Sequence, residues 1–97
     1  MEENEYLIIL YDYYGELLNE LQRKYFELYY FDNLSLSEIG ENDDKSRNAI
    51  HKCIKSGCSR LYEFEDKLKL YENRCRLEEL VDMIKDDDLK NKIKELI

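Results

Sequence analysis

"SLSEIGENDDKSRNAIHKCIKS", residues 35–56, is the stretch whose reading decides the fold. Ser35 and Glu38 have the spacing of a capping box, in which each side chain accepts from the other residue's free backbone N–H. The box opens a short helix over about residues 36–42, with Leu36 and Ile39 pointing inward. "NDDK", residues 42–45, is a turn, because Asn and Asp tolerate left-handed backbone and bond locally. Ser46 then caps a longer helix. Gly40 costs the short helix about 1 kcal/mol relative to Ala, which makes sense where another helix approaches closely. A short capped helix, a polar turn and a longer helix form the layout of a helix-turn-helix, an element that reads DNA.

Working outward, Ile50, Ile54, Gly57, Leu61, Phe64, Leu68 and Tyr71 run at alternating spacings of four and three. That is a heptad seam with one small residue in it. A helix this long cannot bury its whole stripe in so small a domain, so the distal part needs a partner in cis or in trans. Leu77, Leu80, Val81 and Ile84 continue the apolar pattern. They either fold back on the long helix or pair with a second subunit. "KDDD", residues 85–88, breaks the pattern and can cap a last helix carrying Leu89, Ile93, Leu96 and Ile97.

Upstream, Leu7, Leu10, Tyr11, Tyr14, Leu17 and Leu18 mark the buried face of a first helix over about residues 5–18, with Gly15 as its weak spot. Asn19 and Gln22 make another capping box. A second helix follows over about residues 20–31, burying Leu21, Phe26, Tyr29 and Tyr30 or their neighbours, and "FDN", residues 31–33, ends it. The expected fold is all-α. A four-helix helix-turn-helix domain, of the winged-helix-like class but without a wing, covers residues 1–70, and a C-terminal helical extension for packing or dimerisation covers 71–97.

The composition agrees. There is no proline and there are three glycines, and Leu, Ile, Glu and Lys favour helix over strand. Ninety-seven residues bury one modest core. No apolar run approaches the roughly 20 residues needed to cross a bilayer, and the acidic start "MEENEY" lacks the basic region of a signal peptide. The expected location is the cytoplasm. Cys53, Cys58 and Cys75 are odd in number and carry no paired spacing, so neither a disulfide framework nor a zinc site with His51 is expected. There is no Gly-rich phosphate loop, no HExxH, no GxSxG and no second histidine. No catalytic residue, metal or cofactor is assigned.

The formal net charge is −8, which sits awkwardly with a polyanionic ligand. Its distribution resolves the conflict. Residues 1–44 hold 2 basic and 12 acidic side chains (−10), 45–76 hold 9 and 4 (+5), and 77–97 hold 4 and 7 (−3). The basic island begins at the turn. At about 100° per residue, with Ile50 at the origin, Asn48, His51, Lys52, Lys55 and Ser59 fall between roughly 100° and 200°, a strip of donors without a carboxylate. Arg47 lies between this strip and the core. Lysines suit phosphates, whereas Asn and Arg suit base edges. The candidate nucleic-acid-binding residues are therefore Lys45, Ser46, Arg47, Asn48, His51, Lys52, Lys55 and Ser59.

"LLNELQRKYFELYYFDNLSLSEI", continuing to "SRNAIHKCIK", resembles the YlxM-like family of small Gram-positive and mollicute proteins. The resemblance runs from "LYDYYGELL" to "YEFEDKL". It implies a fold similar to region 4 of sigma factors, which reads promoter DNA through the second helix of the motif. It also implies a regulatory role tied to the signal recognition particle, beside whose genes members are usually encoded. Residues 46–50 match the start of the family's recognition helix, and His51 and Ile54–Lys55 match as well. Asp43, Asp44 and Lys45 replace a Leu-Gly-Val turn. That change removes two inward apolar contacts and brings two carboxylates near a bound phosphate. "GCSR", residues 57–60, is less basic than a strong binder requires. Two functions stay open: a DNA- or RNA-binding regulator, and a protein–protein accessory that uses the motif as scaffold and binds signal recognition particle components. A homodimer fits either.

Overall fold

The computed structural model describes residues 1–97 as six α-helices and no strand. Helix α1 spans Glu3–Tyr14, α2 Glu20–Tyr30, α3 Leu36–Asn42, α4 Arg47–Leu68, α5 Leu70–Asp82 and α6 Asp87–Lys94. The expected all-α helix-turn-helix is present, with α3, the turn and α4 forming the motif. The boundaries follow local chemistry. Asn19 accepts from the Gln22 N–H at 2.8 Å, and the Gln22 carboxamide accepts from the Asn19 N–H at 3.1 Å. Ser35 and Glu38 form the same reciprocal pair. Ser46 caps α4 and Asp86 caps α6. Asn33 and Asp44 take left-handed backbone, with φ of 58° and 54°, as turn residues of this kind can.

Two linked cores hold the helices. Leu7, Leu10, Tyr14, Leu18, Phe26 and Leu61 pack α1 against α2 and α4. Tyr25, Leu36, Ile39, Ile50 and Ile54 pack α3 onto α2 and α4. Tyr11 stacks on Phe26, ring centroids 4.4 Å apart and planes 6° from parallel, an offset geometry that adds to the area it buries.

The structure corrects four expectations. The first helix ends at Tyr14, and Gly15–Leu17 tightens into a 3-10 turn that leaves Leu17 exposed. In α2 the inward residues are Gln22, Tyr25 and Phe26, while Leu21 and Tyr29 face solvent. The neighbour that requires a glycine at position 40 is backbone from the turn, since a Cβ there would overlap the Lys45 carbonyl oxygen. The apolar pattern of residues 77–84 does not fold back along α4. Lys69 breaks the helix and bends the chain with φ 54°, α5 touches α1 and α4 at its start, and α6 packs on α5. The molecule is consequently elongated, 58 × 25 × 22 Å, with a radius of gyration of 17.4 Å against about 12–13 Å for a compact domain of this size.

Candidate nucleic-acid interface

The inner edge of α4 is closed by Ile50, Ile54, Gly57 and Leu61, all buried. That packing fixes the rotation of the helix and determines what its other edge presents. Arg47, Asn48, His51, Lys52, Lys55 and Ser59 are exposed. None of these six side chains makes an ion pair or a hydrogen bond with the rest of the protein. Ser46 Oγ accepts from the Ala49 N–H at 3.1 Å, and its own hydroxyl proton stays available to a ligand.

The turn is braced from α2. Tyr25 donates its hydroxyl to Asp43 Oδ2 at 2.7 Å, and Lys24 Nζ pairs with the same oxygen at 2.9 Å. These two hydrogen bonds, Lys24 first, hold the Asp43 carboxyl below its ordinary range. The Lys45 N–H returns to the Gly40 carbonyl at 2.8 Å, and the Lys45 ammonium lies 5.2 Å from the Tyr25 ring centroid. Asp43 is thus paired within the protein, with Lys24 and Tyr25 as its partners. Asp44 stays exposed beside Glu41, Lys45 and Arg47 in a shallow groove over Gly40.

Lys24 escaped the sequence reading, yet it brings a further cation to the edge of the turn. The signal was available, because Arg23 and Lys24 are the only basic residues among the first 44. Their place beside residue 43 depends on how α2 crosses the motif, which spacing does not show. His51 is exposed while Cys53 and Cys58 are half-buried, so the three do not converge on one point.

The remaining seam residues divide along the chain. Phe64, Tyr71 and Ile84 are half-buried, Val81 is buried, and Leu68, Leu77 and Leu80 are exposed. Glu65, which periodicity did not single out, is 7% exposed.

The chain matches, over residues 1–97, the family described as "Putative helix-turn-helix protein, YlxM / p13 like", UPF0122. The chain belongs to this family. The UPF0122 protein of Ureaplasma urealyticum serovar 10 is 41% identical over 91 residues, covering 94% of this chain and 92% of its own. That of Fusobacterium nucleatum subsp. nucleatum is 43% identical over 89 residues, 91% of this chain and 85% of its own. That of Clostridium kluyveri is 48% identical over 79 residues, 81% and 71%. Membership in UPF0122 agrees with the helix-turn-helix geometry of α3 and α4. No helix is long and apolar enough to cross a membrane.

Proposed function

We propose that this UPF0122 member is a non-enzymatic, cytoplasmic nucleic-acid-binding regulator whose α4 lies against a duplex. Lys45, Lys52 and Lys55 contact phosphates. Arg47, Asn48 and His51 face base edges, and Ser46 and Ser59 donate to the sugar–phosphate backbone at the two ends of the strip. The observation that carries this reading is the pair Lys52 and Lys55, exposed and without an internal partner on a helix whose opposite edge, Ile50 and Ile54, is buried.

The test is fluorescence anisotropy with a random DNA duplex and with signal recognition particle RNA, each at two salt concentrations. Each phosphate contact contributes about 0.9 to the slope of log affinity against log salt. Lys52→Ala with Lys55→Ala should therefore lower the slope by about 1.8 and leave the melting temperature unchanged. Absence of binding at low salt, or an unchanged slope in the double variant, overturns the reading.

The balance of −10 over residues 1–44 favours a second, compatible role. α1 and α2 present an acidic surface to a basic protein, and the family resemblance points to the signal recognition particle as its setting. Capture of such a component that survives charge reversal at Lys52 and Lys55 supports this role. A homodimer is part of the proposal. Leu70, Leu77 and Leu80 are exposed along α5, and the half-buried Ile84 follows just past its end. Sedimentation showing only monomer at tens of micromolar, a generous concentration for a weak dimer, counts against it.

A further inference from the structure

At the elbow between α4 and α5, three tyrosine rings from three helices face one cleft. Tyr6 of α1 lies 6.0 Å from Tyr62 of α4 and 6.0 Å from Tyr71 of α5, centroid to centroid. The cleft measures about 520 Å³, and Asp66, Lys69 and Glu72 line it with the rings. Glu3 stands at its edge, accepting from the Tyr62 hydroxyl at 3.3 Å.

Its charges are unequally occupied. Lys69 pairs with Glu72 at 3.5 Å, whereas Asp66 has no ion pair and is exposed. Arg76 also lines the cleft, but neither it nor Lys69 stands over a ring. The cation–ring contacts of the protein are Lys24 and Lys45 on Tyr25, and Arg60 on Phe64. The field at the Tyr6 hydroxyl is negative on balance. Burial first, then Glu65 and Glu72, push its pKa up against the opposing effect of Lys69. Aromatic faces in a negative field attract a cation.

We propose that this cleft receives an arginine side chain from a segment of a partner protein. A guanidinium is flat enough to stack on a tyrosine face while forming a two-pronged pair with the free Asp66 carboxylate. The cleft is wider than one side chain, which leaves room for the flanking residues of a peptide. An unpaired nucleobase would also stack, but its phosphates would meet Asp66, Glu72 and Glu3. The site is independent of the recognition strip, since Tyr62 lies ten residues beyond Lys52, about 15 Å along the helix.

The test uses the full chain and three probes: acetyl-Gly-Arg-Gly-amide, its citrulline counterpart and spermidine, followed by NMR of the tyrosine rings. The arginine peptide should shift Tyr6, Tyr62 and Tyr71 saturably and bind about tenfold tighter than the citrulline peptide, the weight of one charge-assisted pair. Asp66→Asn, at an exposed position, should weaken binding by a similar factor, and Tyr62→Leu should abolish it. Both variants should keep wild-type affinity for duplex, so failure here is distinguishable from failure of the nucleic-acid reading. Equal binding of arginine and citrulline, equal binding of spermidine, no ring shifts, or indifference to Asp66→Asn overturns the proposal.

Discussion

Glu65 tests how the α5–α6 arm is held. The N-terminal N–H groups of α5 have no cap from their own segment, because Lys69 provides none. The Glu65 carboxylate, projecting from the last turns of α4, takes that place. Its Oε1 accepts from the Tyr14 hydroxyl at 2.6 Å and the Tyr71 N–H at 3.1 Å, and its Oε2 accepts from the Glu72 N–H at 3.0 Å. Tyr14 in turn accepts from the Leu70 N–H at 3.0 Å. Glu65→Gln keeps one oxygen for Tyr14 and Tyr71 but turns an amide donor toward the Glu72 N–H. The lost charge-assisted bond sets the cost at about 1.5–3 kcal/mol. Glu65→Ala orphans three donors in a buried place and costs about 3–5 kcal/mol. At about 4–8 °C per kcal/mol for a domain this size, the glutamine variant should melt roughly 6–24 °C lower by circular dichroism. Amide exchange at Tyr71 and Glu72 should accelerate more than in α2. A melting point within about 2 °C of wild type, corresponding to about 0.5 kcal/mol or less, would refute the claim that this carboxylate fastens the arm.

Further predictions concern the glycines, the turn and the tyrosines. Gly40→Ala should destabilise by about 1–3 kcal/mol through overlap with the Lys45 carbonyl. Gly57→Ala meets Gln22 Cβ at an ordinary 3.4 Å and should be neutral or stabilising by up to about 1 kcal/mol; urea melts of the two variants check the opposite signs. Asp43→Asn should lower the melting temperature at pH 7, by a difference that shrinks as pH falls below 3.8. The Asp43 pKa is depressed in the folded state, so its contribution is present above the ordinary value of 3.8 and is lost as pH falls through the folded value. Burial, then the hydrogen bond to Glu65, push Tyr14 up to about 12 from 10.0. Its contribution is therefore complete below pH 10 and lost as pH rises toward 12, and Tyr14→Phe should flatten the alkaline fall in stability over that window.

The parts legible in the sequence are those set by chemistry within a few residues. The Asn19–Gln22 and Ser35–Glu38 boxes, the Ser46 and Asp86 caps and the turn at Asp44 each follow from side chains three or four positions apart. The orientation of α4 was legible as well, since Ile50 and Ile54 are apolar enough to determine which edge is buried. Reading by hydropathy misplaced α2, choosing Leu21 over Gln22. Gln22 lies inside because its carboxamide is satisfied there: it completes the cap and donates to Ser56 Oγ at 3.0 Å. Glu65 was illegible for a related reason. A carboxylate on an apolar seam reads as an interruption until the bend at Lys69 brings the Tyr71 and Glu72 N–H groups to it and α1 adds the Tyr14 hydroxyl. Gly40 announced a close approach, but only the path of the turn shows that the approaching atom is a carbonyl oxygen. Lys24 and Asp43, nineteen residues apart, meet only through the crossing of α2 over the motif.

The acidity of the whole chain sets a condition on how its basic strip can work. Fields from exposed charges fade over about 8–10 Å at physiological salt. A phosphate at Lys52 and Lys55 therefore senses the cations of the strip first and the carboxylates on the far faces of α1 and α2 more weakly. Of the two turn carboxylates, Asp43 is already paired with Lys24 and hydrogen-bonded to Tyr25. At about 0.01 M salt the screening length grows to about 30 Å, and the acidic helices α1 and α2 then repel the same duplex. On the proposed reading, log affinity should fall linearly with log salt between about 50 and 200 mM and flatten toward the low-salt end. A protein that bound nucleic acid through net charge alone would show no such flattening. An acidic chain that binds through a segregated ridge must show it.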